Sequence, residues 1–210
     1  MKKTLLLTCA LALVFAFAPT NSVSAQNGDY KQNIYAGAGF SLVGGLFDAL
    51  GSVDTAGAFT TSSLPAIQLN YDYALTPRIS VGAAFSYQAF GFDVMDYTFV
   101  DASQNSVTED FSANLRRTNL ALRIMFHYGN NEKLDMYSGV RLGMTGWNIS
   151  SESTTGAAND FFDGSYSGWG FAPQVIPFGL RFYVTDNIGL SLETAIGAPH
   201  FLSVGANYRL

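Results

Sequence analysis

The sequence feature that most constrains the fold is a two-residue alternation through residues 172–210. Apolar side chains occupy every second position, and small, polar or ionic ones lie between them. Turn residues interrupt the pattern at 185–187 and at 198–199. The apolar positions are Ile176, Phe178, Leu180, Phe182, Val184, Ile188, Leu190, Leu192, Thr194, Ile196, Leu202, Val204, Ala206, Tyr208 and Leu210. A period of two with a turn about every ten residues is typical of antiparallel strands joined by tight turns.

The same alternation extends back through the chain and predicts eight strands. They cover residues 34–43, 64–73, 79–100, 108–128, 134–149, 176–184, 188–196 and 202–210. Short and long connections alternate between them, as in outer-membrane barrels, where periplasmic turns are short and extracellular loops are long. The pattern therefore favours neighbouring strands that run up and down around one barrel.

The distribution of charge decides what surrounds this barrel. Across the eight predicted strands, the outward positions at membrane level carry no Asp, Glu, Lys, Arg or His. A soluble sheet exposes its polar face to water, whereas an Arg or Lys that faces lipid at the midplane costs about 2–4 kcal/mol. We therefore predict an all-β fold, an eight-stranded antiparallel up-and-down transmembrane β-barrel.

The start of the chain has the pattern of a cleaved secretory signal peptide, with Lys2, Lys3 and an apolar run within residues 1–25. This leaves residues 26–210 as one barrel domain. Cys9 lies in the segment that is removed, so no disulfide is expected. Without the two lysines, nine basic side chains face sixteen acidic ones, a net charge of −7. This balance excludes a basic surface for nucleic acid.

Three long connections are predicted on the outer side of the barrel. They are residues 44–63, a projecting hairpin around residues 93–116, and a polar loop at residues 150–168. They contain ten of the sixteen carboxylates, and such acidic segments are by default solvated. Arg116 and Arg117 lie where they can meet lipopolysaccharide phosphates. These connections are the predicted surface for an external ligand, and the hairpin can pair with a partner's strand edge.

Five charged side chains are predicted to share one level of the bore: Asp72, Arg123, Arg141, Arg181 and Glu193. An eight-stranded barrel is just wide enough for side chains to fill, so arginine–carboxylate pairs there can form a structural plug. The alternative is a gate, in which exchange of partners opens a narrow pore. With Arg117 and Arg209, the bore holds five arginines against two carboxylates, which favours anions if water passes.

Pro177 falls in the middle of a predicted strand, where it cannot donate to the hydrogen-bond ladder. We expect a bulge or broken pairing there. The break suggests a further hypothesis, passage of a small hydrophobic compound through a lateral opening. Aromatic residues near strand ends suit the girdles at the two membrane interfaces. They are Tyr71, Tyr73, Tyr128, Trp147, Trp169 and Tyr208.

The two histidines, His127 and His200, are the bases available to a nucleophile. His127 is predicted to be a hydrogen-bonded lumen residue near a periplasmic turn. His200 is predicted at the outer rim, with Ser203 further down the strand. The sequence also lacks metal-ligand spacing. We therefore expect no catalytic, cofactor or metal site, and a lipid A-modifying enzyme is the least favoured function.

Four features carry a resemblance to a known family: the double-lysine start, the alternating strands, the run Gly-Leu-Arg-Phe-Tyr-Val-Thr-Asp-Asn-Ile-Gly-Leu at residues 179–190, and the closing Gly-Ala-Asn-Tyr-Arg-Leu. The chain resembles the small outer-membrane β-barrel domain family, the group of OmpX, OmpW and the membrane half of OmpA. This resemblance implies a place in the outer membrane of a Gram-negative bacterium, among its lipid and lipopolysaccharide. It also implies insertion by the barrel-assembly machinery through the last strand, residues 201–210.

The resemblance specifies fold better than activity. The expected role is structural or surface-interacting, by adhesion or envelope integrity. A narrow gated pore or a small-molecule channel is the alternative.

Overall fold

The computed structural model describes residues 30–53, 59–100, 104–153 and 165–210. The predicted signal peptide at residues 1–25 lies outside the described residues. So do residues 54–58, 101–103 and 154–164, which belong to the three predicted long connections.

The described residues form ten strands and one helix. In chain order they are β1 Gln32–Phe40, α1 Leu42–Val53, β2 Phe59–Ser63, β3 Ala66–Ala74, β4 Ile79–Val100, β5 Ser106–Asn131, β6 Leu134–Ser153, β7 Tyr166–Phe171, β8 Gln174–Tyr183, β9 Ile188–Gly197 and β10 Leu202–Arg209. Eight of the strands pair antiparallel in a closed ring, in the order β1, β3, β4, β5, β6, β8, β9, β10 and back to β1. The short strands β2 and β7 pair with the outer halves of β4 and β6. The predicted eight-stranded antiparallel barrel is confirmed.

Side chains alternate between the bore and the outside along the ring. On β3, for example, Ile67 and Leu69 are exposed whereas Gln68 and Asn70 are buried. At membrane level, the outward positions of the described strands carry no ionisable acid, arginine, lysine or histidine. The exterior is therefore an uncharged apolar belt, and the charged side chains lie in the bore, as a membrane-spanning barrel requires.

Three strands of the ring are much longer than the others. β4 has 22 residues, β5 has 26 and β6 has 20, whereas β1 and β3 have 9 each. A tilted strand crosses the hydrocarbon with about 9–11 residues. The outer halves of β4, β5 and β6 therefore rise beyond the membrane, together with β2 and β7. We call these five segments the projecting sheet.

The pairing of β4 with β5 continues to Val100 and Ser106, so the hairpin predicted around residues 93–116 projects as expected. The predicted loop at residues 44–63 is wrong. Most of α1 and all of β2 lie in this range, and β1 ends at Phe40 instead of residue 43. The Ser41 hydroxyl accepts a hydrogen bond from the Gly44 amide at 3.0 Å, so Ser41 caps the first turn of α1. Within the described residues, no helix is long and apolar enough to cross a membrane.

The predicted polar loop at residues 150–168 is also partly wrong. β6 continues to Ser153, and β7 begins at Tyr166. Polar side chains do not end a strand whose backbone pairs on a neighbour, and here β6 pairs with β5 as far as Ser153. The polar composition reflects emergence into water, where both faces of a strand can be hydrophilic.

The break expected at Pro177 is confirmed. The register of β8 against β9 shifts between Val175 and Phe178. The extra residue reverses the faces beyond it, and this corrects the predicted outward position of Ile176. Ile176 is fully buried in the bore, whereas Pro177 and Phe178 are both exposed on the lipid side.

Two hydroxyl groups on neighbouring strands close this break. Ser138 donates a hydrogen bond to the Pro177 carbonyl at 2.7 Å, and Thr194 donates to the Phe178 carbonyl at 3.0 Å. Backbone polar groups that face lipid need a partner within the protein. The two hydroxyls satisfy the carbonyls that the bulge removes from the ladder, so the wall at Pro177 is closed.

Candidate functional site

The centre of the bore holds a continuous series of alternating acidic and basic side chains, which we call the ionic chain. Its order is Asp135, Arg181, Asp72, Arg123, Glu193 and Arg141. The successive nitrogen–oxygen distances are 3.3, 2.5, 3.1, 3.0 and 2.5 Å. All six side chains are at most 3% exposed. Five strands (β3, β5, β6, β8 and β9) each contribute to it, so the ionic chain connects opposite walls of the barrel.

Five members of the ionic chain are the residues that the sequence analysis assigned to one level of the bore, and the structure brings them into contact. Asp135 is the member that the sequence analysis missed. It lies two positions before Tyr137 on the same face of β6, so the two-residue period could have identified it. The count of two inward carboxylates was therefore wrong, and the ionic chain itself contains three arginines and three carboxylates.

Glu193 is the most connected acid in the bore. Its carboxylate contacts Arg123 at 3.0 Å and Arg141 at 2.5 Å, and it accepts a hydrogen bond from the Tyr137 hydroxyl at 3.1 Å. Because buried charges lose their hydration, such a cluster is stable only when each charge keeps its partners. The contacts of Glu193 therefore hold the outer half of the ionic chain together in the centre of the bore.

Ser80, His127 and Asp135 form a hydrogen-bonded series on the periplasmic side of the ionic chain. His127 Nε2 lies 2.8 Å from the Ser80 hydroxyl, and its Nδ1 lies 2.8 Å from Asp135. This is the order of a serine hydrolase triad, but Ser80 is buried and the cavity beside it has room for about one water molecule. The series ties β4 and β5 to the ionic chain, and an ester substrate does not fit there.

Arg117 closes the outer level of the bore. Its guanidinium donates hydrogen bonds to the Gln88 side chain and to the Pro199 carbonyl, and it lies 5.4 Å from the Trp147 ring. The predicted contact of Arg117 with lipopolysaccharide phosphate is therefore wrong. Adjacent strand residues point to opposite faces, so Arg116 is exposed outside while Arg117 is buried inside.

Trp147 was predicted to belong to an interfacial girdle, but it lies on the bore side. It pairs in register with Arg117 on β5, and its ring stacks on Phe90 with the centroids 6.4 Å apart. Phe90 in turn contacts Phe47 of α1 at 5.0 Å. Aromatic side chains therefore fill the bore between Arg117 and the helix.

Arg209 closes the periplasmic level. Its guanidinium lies between the Tyr30 and Tyr183 rings, 4.1 and 3.8 Å from their centroids. It also donates hydrogen bonds to the backbone carbonyls of Asp186 at 2.5 Å and Glu132 at 3.1 Å. Both carbonyls belong to periplasmic turns, so Arg209 draws these turns together across the mouth.

His200 was predicted at the outer rim, but the connection from β9 to β10 folds it into the bore. Its Nε2 lies 3.5 Å from Glu193, and its backbone carbonyl accepts a hydrogen bond from Gln174 at 2.7 Å. Within the described residues, His200 Nδ1 and both amide atoms of Gln68 are buried without a protein partner. Such atoms are where ordered water binds.

Among the described residues, no group of three or more His, Cys, Asp or Glu side chains is placed to hold a metal ion. The arginines of the bore all contact carboxylates, carbonyls or aromatic rings. The chemistry that the bore offers is thus that of a closed polar core.

No family model matches the sequence, and no curated protein matches it either. Several solved structures are similar to this chain. OprG from Pseudomonas aeruginosa has a TM-score of 0.50 at 10% identity, over 90% of this chain and 99% of that one. Ail from Yersinia pestis has a TM-score of 0.46 at 14% identity, over 86% and 99%. The outer membrane protein W of E. coli has a TM-score of 0.40 at 11% identity, over 86% and 98%.

At these identities the likeness concerns the fold alone. The likeness to the fold of OprG, an outer membrane protein, agrees with two features of this chain. The ring closes with eight strands, and an uncharged belt surrounds a charged bore.

Proposed function

We propose that this chain is a small outer-membrane β-barrel of the Gram-negative envelope, and that it is a structural and surface-interaction protein whose bore is filled by side chains. Its projecting sheet presents a surface to partners outside the cell, and its closed barrel holds that sheet at the membrane. The role is adhesion or support of envelope integrity.

The observation that carries this proposal is the contrast between the bore and the projecting sheet. The bore is closed at three levels, by Arg209, by the ionic chain and by Arg117. By contrast, β4 and β5 continue as a paired hairpin to Val100 and Ser106, far beyond what spanning requires. A long sheet outside a closed barrel supports recognition more directly than transport.

Truncation of the hairpin tests this role. β4 pairs with β5 at Val94 and Phe111, so residues 95–110 can be replaced by a two-residue Asn-Gly turn that suits a hairpin. We expect the truncated barrel to insert and to keep its heat-modifiable mobility in gels. Attachment of bacteria to a cultured epithelial monolayer should fall to the level of cells without the protein. Attachment equal to that of the full-length protein would refute an adhesive role for this hairpin.

Resistance of the same cells to detergent separates the two roles. If the protein supports envelope integrity through its barrel, cells that lack it become sensitive to detergent, and cells with the truncated form stay resistant. Unchanged resistance in cells without the protein would exclude this second role.

Lipopolysaccharide is the outer-leaflet partner proposed for Arg116. Arg116 pairs with Asn148, above Leu120 and Met144 of the apolar belt, so its guanidinium lies at the level of the lipid headgroups. Arginine forms bidentate hydrogen bonds with phosphate. The variant Arg116→Gln, made in the full-length protein, tests this contact. It should reduce the amount of lipopolysaccharide that copurifies with the barrel. An unchanged amount would contradict the contact.

A narrow gated pore is the second candidate. It is favoured by the side-chain amide of Gln68 and by His200 Nδ1, which are buried without protein partners and would line a file of water beside the ionic chain. Glu193 would act as the gate, because it joins Arg123 to Arg141. Conductance in planar bilayers, measured for the native protein and for Glu193→Ala, tests this candidate. A pore gives larger currents when Glu193 is removed, and no current from either protein excludes it.

A further inference from the structure

Helix α1 has two contrasting faces. Its packed face lies on the projecting sheet, where Phe47 contacts Phe90 and Asp48 accepts a hydrogen bond from the Ser63 hydroxyl at 2.6 Å. At 100° per residue, the opposite face is entirely apolar. It consists of Leu42, Leu46, Ala49 and Leu50. We call Leu42, Leu46 and Leu50 the leucine face, and they are 79%, 58% and 47% exposed.

The exposure of the leucine face is unusual for a helix that is surrounded by water. A surface helix normally buries its apolar stripe and exposes its charges. In α1 the apolar stripe is exposed instead. The ionisable side chain, Asp48, is also exposed, but it lies on the opposite side of the helix, where it meets Ser63, and the leucine face has no charge. The leucine face therefore needs an apolar environment outside the protein.

The start of α1 fixes its depth in the membrane. β1 has nine residues, about the number that crosses the hydrocarbon, so Leu42 follows directly where the chain reaches the outer boundary. Ser41 holds this position, because its hydroxyl accepts hydrogen bonds from the Gly44 amide and from the Gln88 side chain, both at 3.0 Å. The helix thus begins at the level of the upper acyl chains.

The leucine face is continuous with the apolar belt. Phe40, the last residue of β1, faces the lipid and is half exposed. Phe201 is also exposed, and its amide donates to the Phe40 carbonyl at 2.9 Å, which places the two rings on one rim. Leu64 adds a further exposed apolar side chain before β3. The belt therefore continues from β10 and β1 onto α1.

We infer that α1 is an interfacial anchor, with its leucine face inserted among the acyl chains of the outer leaflet. Amphipathic helices bind this way, with the apolar face at the boundary between headgroups and acyl chains. The anchor would hold the base of the projecting sheet at the lipid surface. It does not depend on what the hairpin binds, so failure of the adhesion experiment leaves it intact.

Site-directed fluorescence tests the anchor in the folded protein. Cys9 is the single cysteine of the sequence, so Leu46→Cys in a Cys9→Ser background can carry one environment-sensitive dye. Leu190→Cys, on the apolar belt, and Asp186→Cys, in a periplasmic turn, are the matched controls. Each labelled barrel is placed in phosphatidylcholine vesicles that carry a nitroxide either near the headgroup or near the acyl-chain end.

We expect the dye at residue 46 to emit at shorter wavelength than the dye at residue 186, and to be quenched more by the shallow nitroxide than by the deep one. The dye at residue 190 should be quenched more by the deep nitroxide. Leu50→Cys, on the same face, guards against a local defect, and heat-modifiable mobility verifies folding. Emission at residues 46 and 50 that matches residue 186 and ignores both nitroxides would overturn the anchor. Quenching that depends on protein density and not on nitroxide would also overturn it, in favour of a second copy of the chain.

Discussion

Glu193→Ala should lower the free energy of unfolding by about 3–5 kcal/mol, the cost typical of breaking a buried ion pair by removing one partner. The substitution leaves Arg141 without its carboxylate and leaves Arg123 with Asp72 alone. It also removes the acceptor of the Tyr137 hydroxyl. Water cannot easily solvate these groups in a bore that side chains fill. Equilibrium unfolding by guanidinium in phospholipid vesicles, followed by tryptophan fluorescence, measures the change.

Two further variants test whether this loss comes from the ionic chain. Glu152→Ala removes an exposed carboxylate from the same barrel, and it should change the stability by less than about 0.5 kcal/mol. The double variant Glu193→Ala/Arg141→Ala removes an unpaired charge along with its partner, so it should be more stable than Glu193→Ala alone. A double variant that is no more stable than Glu193→Ala would mean that Glu193 and Arg141 do not act as a pair.

The architecture could be predicted from the sequence because a membrane imposes a strict rule on every strand. Positions such as Leu122 and Leu190 must be apolar, while their neighbours Arg123 and Ser191 need not be. The two-residue period therefore determines strand, face and environment together. The ring of eight strands follows from this rule, whereas the break at Pro177 follows from the missing N–H of proline.

The rule weakens where the chain leaves the lipid, and the sequence predictions were wrong there. Residues 42–53 form α1 although a strand end and a loop were predicted there, because Ser41 caps the helix and Phe47 packs on Phe90. Such tertiary contacts outweigh local propensity. Trp147 shows the same limit, since an aromatic residue near a strand end suits either the interface or the interior of the bore.

Within the site, the sequence did not show which arginine pairs with which carboxylate. The sequence placed five charges at one level, but the pairing of each arginine depends on strand tilt and register around the whole ring. The contact between Arg181 and Asp72 joins β8 to β3, which are not neighbours in the ring. A single irregularity can also change the face of a residue. Ile176 was predicted on the lipid side, but the one-residue bulge in β8 places it in the bore.

Leu122→Arg should destabilise the barrel by about 2–4 kcal/mol, the cost of an arginine that faces lipid at the midplane. Leu122 is 69% exposed in the membrane-level part of β5, and its neighbours in register, Ala83 and Leu142, offer it no anion. Leu75→Arg, at a periplasmic turn, is the matched control and should cost about 0–1 kcal/mol. Guanidinium unfolding in vesicles measures both.

Arg123, one position away, shows that charge itself is tolerated at this depth when the side chain points inward and contacts Asp72 and Glu193. Equal costs at residues 122 and 75 would mean that lipid does not surround β5, and the membrane-spanning assignment would then be wrong.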